Sequence, residues 1–213
     1  MSLTFLGGGN TKKSNKGFLI AIEGPDGCGK STQTSLLGEW LESEGYETEV
    51  TQEPTKGPIG KIIRKSLKGD IELSVETEAL LFASDRLEHV KKTIEPNLKK
   101  EKIVISERYV YSSLAYQTSR GLSKEWVEKI NKYATKPDLT ILIDIPPEIG
   151  ARRMNSSRKL DTFDKDLKLQ KRVREAYLKI AKEEGIDPID GTKSRREVRD
   201  NIRKRVKKSY MLS

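Results

Sequence analysis

The chain has 213 residues, about a third of them apolar and a third charged, enough for one sizeable buried core and typical of a globular domain. No apolar run approaches the ~18 residues that cross a bilayer, and a single cysteine, Cys28, excludes an intrachain disulfide and a cysteine-rich zinc site. The net charge of +9, from 41 basic against 32 acidic residues, suits an anionic partner such as nucleic acid or a nucleotide, but a surface rich in Lys–Glu pairs gives the same balance.

In chain order, residues 1–16 read as a flexible leader. Gly7, Gly8 and Gly9 are followed by Lys12, Lys13 and Lys16, so charge comes after the short apolar patch, the reverse of a secretory signal. A cytoplasmic location is the expectation. From residue 17 onward, short apolar runs alternate with amphipathic stretches. Strands are predicted at 17–22 (GFLIAI), 48–52, 103–106 (IVIS), 139–145 (LTILIDI) and 186–189. Three of these are nearly unbroken Ile, Leu and Val runs, as in parallel strands covered on both faces. Helices are predicted over 31–44, 57–68, 75–99, 109–134, 147–156, 165–184 and 194–208. Five strands alternating with helices over residues 17–213 predict a single α/β domain: a doubly wound parallel sheet with helices on both faces. Ligands of such sheets bind beyond the carboxyl ends of the strands, which points to the loops after Ile22, Gln52, Ser106 and Ile145.

The first of these loops reads Gly24-Pro25-Asp26-Gly27-Cys28-Gly29-Lys30-Ser31, then Thr32, a full G-x4-G-K-[ST] phosphate loop between a strand and a helix. Glycines let successive N–H groups turn inward onto phosphate oxygens. Lys30 adds a positive charge near the β- and γ-phosphates, the Ser31 hydroxyl is placed to ligate Mg²⁺, and the helix start presents its positive dipole end. ATP and Mg²⁺ are the expected cofactors, bound by residues 24–32. The chain lacks the Asn/Thr-Lys-x-Asp motif of a GTPase, and its length disfavours motor and helicase classes. After the third strand, Glu107 and Arg108 place a carboxylate and a guanidinium where they could organise Mg²⁺ and clamp a transferring phosphoryl group. Read alone, they could equally form a surface ion pair.

Together these pieces resemble the thymidylate kinase family of nucleoside monophosphate kinases, in the family's order from Gly17 to about Arg203. The matching pieces are the phosphate loop, Glu53-Pro54-Thr55 with Gly60 and Arg64, Phe82-Ala83-Ser84-Asp85-Arg86, Glu107-Arg108-Tyr109, and Asp144-Ile145-Pro146-Pro147-Glu148 leading into a basic stretch. The resemblance implies transfer of the ATP γ-phosphate to thymidine monophosphate (dTMP). It implies that Asp26 contacts the acceptor's sugar 3′-hydroxyl, that Glu53 and Arg64 lie on the acceptor side, and that Phe82 stacks on the base while Arg86 reads its carbonyl. The i, i+4 spacing of Phe82 and Arg86 puts both on one helix face. Ser113 and Tyr116 would contact the base and crowd the 2′ position, Tyr116 favouring deoxyribose. Gln117 also matches. Arg108 would bridge the two phosphates, and Glu107, one methylene longer than the usual Asp, would bind Mg²⁺ through water.

A basic lid over about 151–164 is implied as well, with Arg153 at its start. Gly27 stands where some members carry a catalytic arginine, so the lid should supply it. Asn155 and Ser157 replace arginines of familiar bacterial members, which leaves Arg158 as the substitute. Gln52 replaces an arginine that grips the acceptor phosphate, so Lys56 or Arg64 would take over. The resemblance further implies a homodimer packed through helices such as 75–99. Neither a membrane nor a nucleic acid is an expected partner. Two other readings stay open: another nucleoside monophosphate or deoxynucleoside kinase, and a basic nucleic-acid-binding ATPase. Compact size and the lack of aromatic–basic interleaving count against the latter. His89, the only histidine, sits in a charged helical stretch that predicts a surface position. Cys28 lies near a helix N-terminus, which would lower its pKa. The run 193–208 reads as a solvated last helix.

Overall fold

A computed structural model describes residues 16–155 and 167–211. The leader (but for Lys16), Ser157, Arg158 and most of the basic lid stretch lie outside the described residues. Five strands, β1 (Phe18–Glu23), β2 (Thr48–Gln52), β3 (Ile103–Glu107), β4 (Leu139–Asp144) and β5 (Ile189–Asp190), form one sheet in the order β2-β3-β1-β4-β5. Every pairing is parallel, as the apolar runs predict. The fifth strand is shorter than predicted and begins at Ile189 rather than residue 186.

Alternation along β1 separates the two covered faces. Ile20 and Ile22 join Ile103, Ile105, Ile141 and Ile143 beneath α1 (Lys30–Ser43) and α9 (Arg195–Val206), which contribute Leu37, Trp40, Leu41, Val198, Ile202 and Val206. Leu19 and Ala21 face the other way with Val104, against Val90, Ile94 and Tyr109. On that second face, Leu142 packs with α5 (Val110–Thr118), α6 (Lys124–Ile130) and α8 (Leu167–Glu183). Burying each of these Ile or Leu side chains contributes about 2 kcal/mol. The run 193–208 is therefore solvated on one side only, since Val198, Ile202 and Val206 are core residues.

Two predicted helices differ in form. The stretch 109–134 is broken into α5 and α6. Gly121, at φ 98°, reverses the chain, and the Ser123 side chain caps α6 by accepting the Trp126 N–H at 3.1 Å. The stretch 75–99 is one continuous rod made of α3 (Val75–His89), a widened π turn at Val90–Ile94, and α4 (Glu95–Lys99). Pro96 in α4 has no N–H to give and crowds the preceding carbonyls, so the wider turn accommodates it. Among the described residues, α2 (Pro58–Lys68), α7 (Pro147–Asn155) and a π turn at Lys207–Met211 complete the helices.

The sheet register sets out the site. Glu107 at the end of β3 lies opposite Ile22 of β1 and Gln52 of β2, so three strand ends finish in one row. The chain leaves β1 for the α1 face and β3 for the α5 face, and a crevice opens between these diverging loops. The Arg108 N–H donates to the Ile22 carbonyl at 2.9 Å and the Glu53 N–H to the Glu107 carbonyl at 2.9 Å, which locks the three strand-end loops together.

Candidate active site

One cleft of about 810 Å³ runs along that row. At its centre is the phosphate loop. Gly27 and Gly29 adopt φ of 77° and 95°, a region costly for any residue with a Cβ. Gly27 has a second constraint: a Cβ there would sit 2.6 Å from the Gly150 Cα, because α7 rests directly on the loop. Lys30, the first residue of α1, is 4% exposed, and its ammonium donates to the Gly24 and Pro25 carbonyls at 2.9 Å each. Cys28 is buried beside it. Burial pushes the Cys28 thiol up, against the lowering by Lys30, which corrects the expectation of a depressed thiol pKa.

The Ser31 hydroxyl donates to Glu107 Oε1 at 2.9 Å, so the two oxygen donors predicted for Mg²⁺ adjoin one another. Mg²⁺ is commonly held by one or two protein oxygens together with phosphates and waters, and this donor set fits that pattern. Arg108 has φ 66°, unusual for a residue with a side chain, and Ser106 Oγ holds its carbonyl at 2.8 Å. The resulting turn delivers the guanidinium to Asp26 of the phosphate loop, above the Tyr116 ring at 5.3 Å and 3.4 Å from Ser112 Oγ. Burial alone would lower the Arg108 pKa, but Asp26 and its other anionic neighbours raise it well above the ordinary value.

Beyond Arg108 the cleft is lined by Glu53, Arg64, Phe82, Arg86, Ser113, Tyr116 and Gln117. Arg86 is 1% exposed, and all five of its N–H donors are engaged. Nε and Nη2 reach Glu53 Oε2 at 2.9 and 2.7 Å, Nη2 also reaches the Tyr109 carbonyl at 2.9 Å, and Nη1 reaches Ser113 Oγ at 2.9 Å and Asn131 Oδ1. Arg64 donates to the Pro54 carbonyl at 2.9 Å. Gln117 is 4% exposed, and among the described residues its Oε1 has no hydrogen-bond partner. At the other end the cleft is lined by Arg153 and Met154 of α7 and by Gly191, Lys193 and Arg195 after β5. Arg153 was expected there, whereas the residues after β5 were missed in the sequence, although the strand-end rule applies to the fifth strand as to the others.

His89 is not a surface residue. It is 2% exposed, with Nδ1 3.0 Å from Glu53 Oε1 and Nε2 2.8 Å from Thr51 Oγ1. Partners on β2 and its loop, invisible from the charged helical neighbourhood, draw it inward. Glu23, the last residue of β1, was also missed. It is 1% exposed and accepts from the Tyr109 and Ser112 N–H groups at 3.0 and 3.1 Å, from Ser112 Oγ at 2.6 Å and from the Tyr177 hydroxyl at 3.2 Å. It thereby fixes the start of α5 directly after Arg108. Burial pushes the Glu23 carboxyl above its ordinary 4.5, although Ser112 and Arg108 oppose this. A raised carboxyl pKa contributes stability below the ordinary value, and that stability is lost as pH rises through the folded value. The stability of the native protein minus that of Glu23→Gln, followed by chemical denaturation from pH 4 upward, is therefore expected to fall steadily. A rising difference would contradict the shift.

A phosphate loop facing an acidic-basic pair across the switch point of a five-stranded parallel sheet defines the class of P-loop phosphotransferases. Residues 22–202 match the family model of thymidylate kinase, and the chain belongs to that family. It is 50% identical over 171 residues to a probable thymidylate kinase of Pyrococcus abyssi, covering 78% of this chain and 83% of that protein. A probable thymidylate kinase of Thermococcus gammatolerans is 51% identical over 173 residues. One from Methanosphaera stadtmanae is 42% identical over 197 residues, covering 91% of this chain and 99% of that protein.

Proposed function

We propose that the chain transfers the γ-phosphoryl group of ATP to dTMP with Mg²⁺, giving dTDP and ADP. The observation that supports this most is the position of Arg108, which touches the phosphate loop through Asp26 and lines the same cleft as Phe82 and Arg86. The donor would lie on residues 24–32, with Lys30 exchanging its two loop carbonyls for phosphate oxygens. Its base would lie toward Arg153, Gly191, Lys193 and Arg195. Ser31 and Glu107 would hold Mg²⁺, which supplies charge neutralisation between the phosphates.

The acceptor phosphate, with a second pKa of about 6, is largely dianionic at pH 7 and needs no strong base. What the chain contributes is alignment and positive charge. Arg108 would hold the acceptor and transferring phosphates in line against their mutual repulsion. Asp26 would receive the sugar 3′-hydroxyl, and Arg64 would lie on the acceptor side near Glu53. Phe82 would stack on the base. Arg86 would offer it Nη1, the end now bonded to Ser113 and Asn131, while Glu53 keeps the other end fixed. The Gln117 Oε1 is a buried acceptor with no hydrogen-bond partner among the described residues, a cost that a base N–H would offset. Tyr116, beneath Arg108, would crowd a 2′-hydroxyl.

Residues 17–213 would act as one kinase unit, with Arg153 and Arg158 on a lid over about 151–164 that excludes water. Its anchors are tied by the Arg174–Asp144 pair, at 2.8 Å through two contacts, and by Lys171–Glu148 at 3.2 Å. Among the described residues, no helix is long and apolar enough to cross a membrane, and the reading carries a cytoplasmic location. Leu80 of α3 and Ile62 of α2, 48% and 42% exposed, supply apolar surface for a homodimer. A coupled ADP-release assay across the nucleoside monophosphates tests the function. The expected result is the highest kcat/KM for dTMP and loss of that preference in Phe82→Ala. Equal rates for all bases, or ATP turnover stimulated by DNA and not by monophosphates, would overturn it.

A further inference from the structure

We propose that His89 is a positioning residue for the acceptor nucleotide, acting through Glu53 on Arg86; this rests on the acceptor reading above. Arg86 and His89 lie three residues apart on one face of α3 and divide the Glu53 carboxylate between them. Arg86 takes Oε2 with Nε and Nη2, and His89 takes Oε1 with Nδ1 at 3.0 Å. A carboxylate only accepts, so Nδ1 carries a hydrogen and the ring is held in one orientation. Its far nitrogen is fixed by Thr51 Oγ1 at 2.8 Å, on the strand that ends one residue before Glu53. His89 therefore braces the carboxylate against the strand that carries it.

The brace matters because of how Arg86 is held. Nε and Nη2 of Arg86 are taken up by Glu53 and the Tyr109 carbonyl, which leaves Nη1, bonded to Ser113 of the cleft lining and to Asn131, as the end turned to the acceptor. The direction in which Nη1 points is set by the Glu53 carboxylate gripping the opposite edge of the planar fork. Without His89, Glu53 Oε1 is a buried acceptor without its ring partner, and the carboxylate can rotate about its own axis, carrying the fork with it. Acceptor binding is then weakened, while the phosphate loop, which His89 does not touch, is unaffected.

The test is steady-state kinetics on the full chain with ATP and dTMP varied separately. An Asn side chain can put its NH₂ where Nδ1 stood, whereas Gln reaches toward the Nε2 position. His89→Ala and His89→Gln are expected to raise KM for dTMP about tenfold, with KM for ATP unchanged. His89→Asn should restore most of the loss, and Thr51→Val, which removes only the far partner, should raise KM for dTMP by less. Should His89→Ala fail to fold, the contrast between Asn and Gln decides the matter, since both keep a polar side chain in the slot. Equal KM for dTMP in these two variants, or a parallel rise in KM for ATP, would overturn the proposal. If the native protein does not phosphorylate dTMP at all, the functional reading fails first. If it does and the His89 variants match it, only this inference fails.

Discussion

Lys30→Ala is expected to lose about 10³-fold in kcat/KM for phosphoryl transfer while the protein stays folded. The ammonium is 4% exposed and held between the Gly24 and Pro25 carbonyls, 3.9 Å from Asp26. These are contacts within the loop, so their loss leaves two carbonyls facing a solvent-filled cleft and the sheet core untouched. What disappears is the one ammonium that starts α1 beside the loop amides. The positive end of that helix remains, so ATP still binds, more weakly. Charge builds on the phosphate oxygens during transfer, so kcat should fall more than KM for ATP rises. Lys30→Arg is expected to recover little, because a planar fork cannot replace a point charge in a slot this closed. Rates from ADP release, with ATP affinity from calorimetry, check both statements. Native turnover by Lys30→Ala would remove the basis of the assignment.

The phosphate loop was legible in the sequence because its chemistry is local: spacing alone determines where backbone amides, Lys30 and Ser31 lie. The strands were legible for a related reason, since unbroken apolar runs have one plausible fate, a doubly covered parallel sheet. Legibility stopped where burial is decided at long range. Glu23 reads as an ordinary acidic residue until Ser112 and Tyr177, far along the chain, surround it. His89 reads as a surface residue until Thr51 and Glu53 reach it from β2 and its loop. The break between α5 and α6 was written in Gly121 and Ser123, yet amphipathic periodicity on both sides masked it. The lining of the cleft by Gly191, Lys193 and Arg195 carries no motif and depends on where a two-residue strand ends.

Arg108→Gly and Arg108→Ala are each expected to lose about 10³-fold in kcat, with Arg108→Ala the less stable of the two. The reason is the φ of 66° at this position. Both variants lose the Asp26 contact alike, and the left-handed region costs a residue with a Cβ about 1 kcal/mol and glycine almost nothing, so their difference reports mainly the backbone strain. The native arginine bears that strain because the turn is held at both ends, by its N–H on the Ile22 carbonyl and by Ser106 Oγ on its own carbonyl. What the strain provides is direction: the guanidinium leaves β3 toward Asp26 and over Tyr116 instead of along the strand. Arg108→Lys keeps the charge but not the fork, and about 10²-fold of activity should be lost. Thermal melts of the Gly and Ala variants beside their kcat values separate the two effects. If Gly and Ala melt alike, the turn is not strained at this residue. If Arg108→Lys turns over at the native rate, a point charge suffices and the guanidinium does not bridge two phosphates.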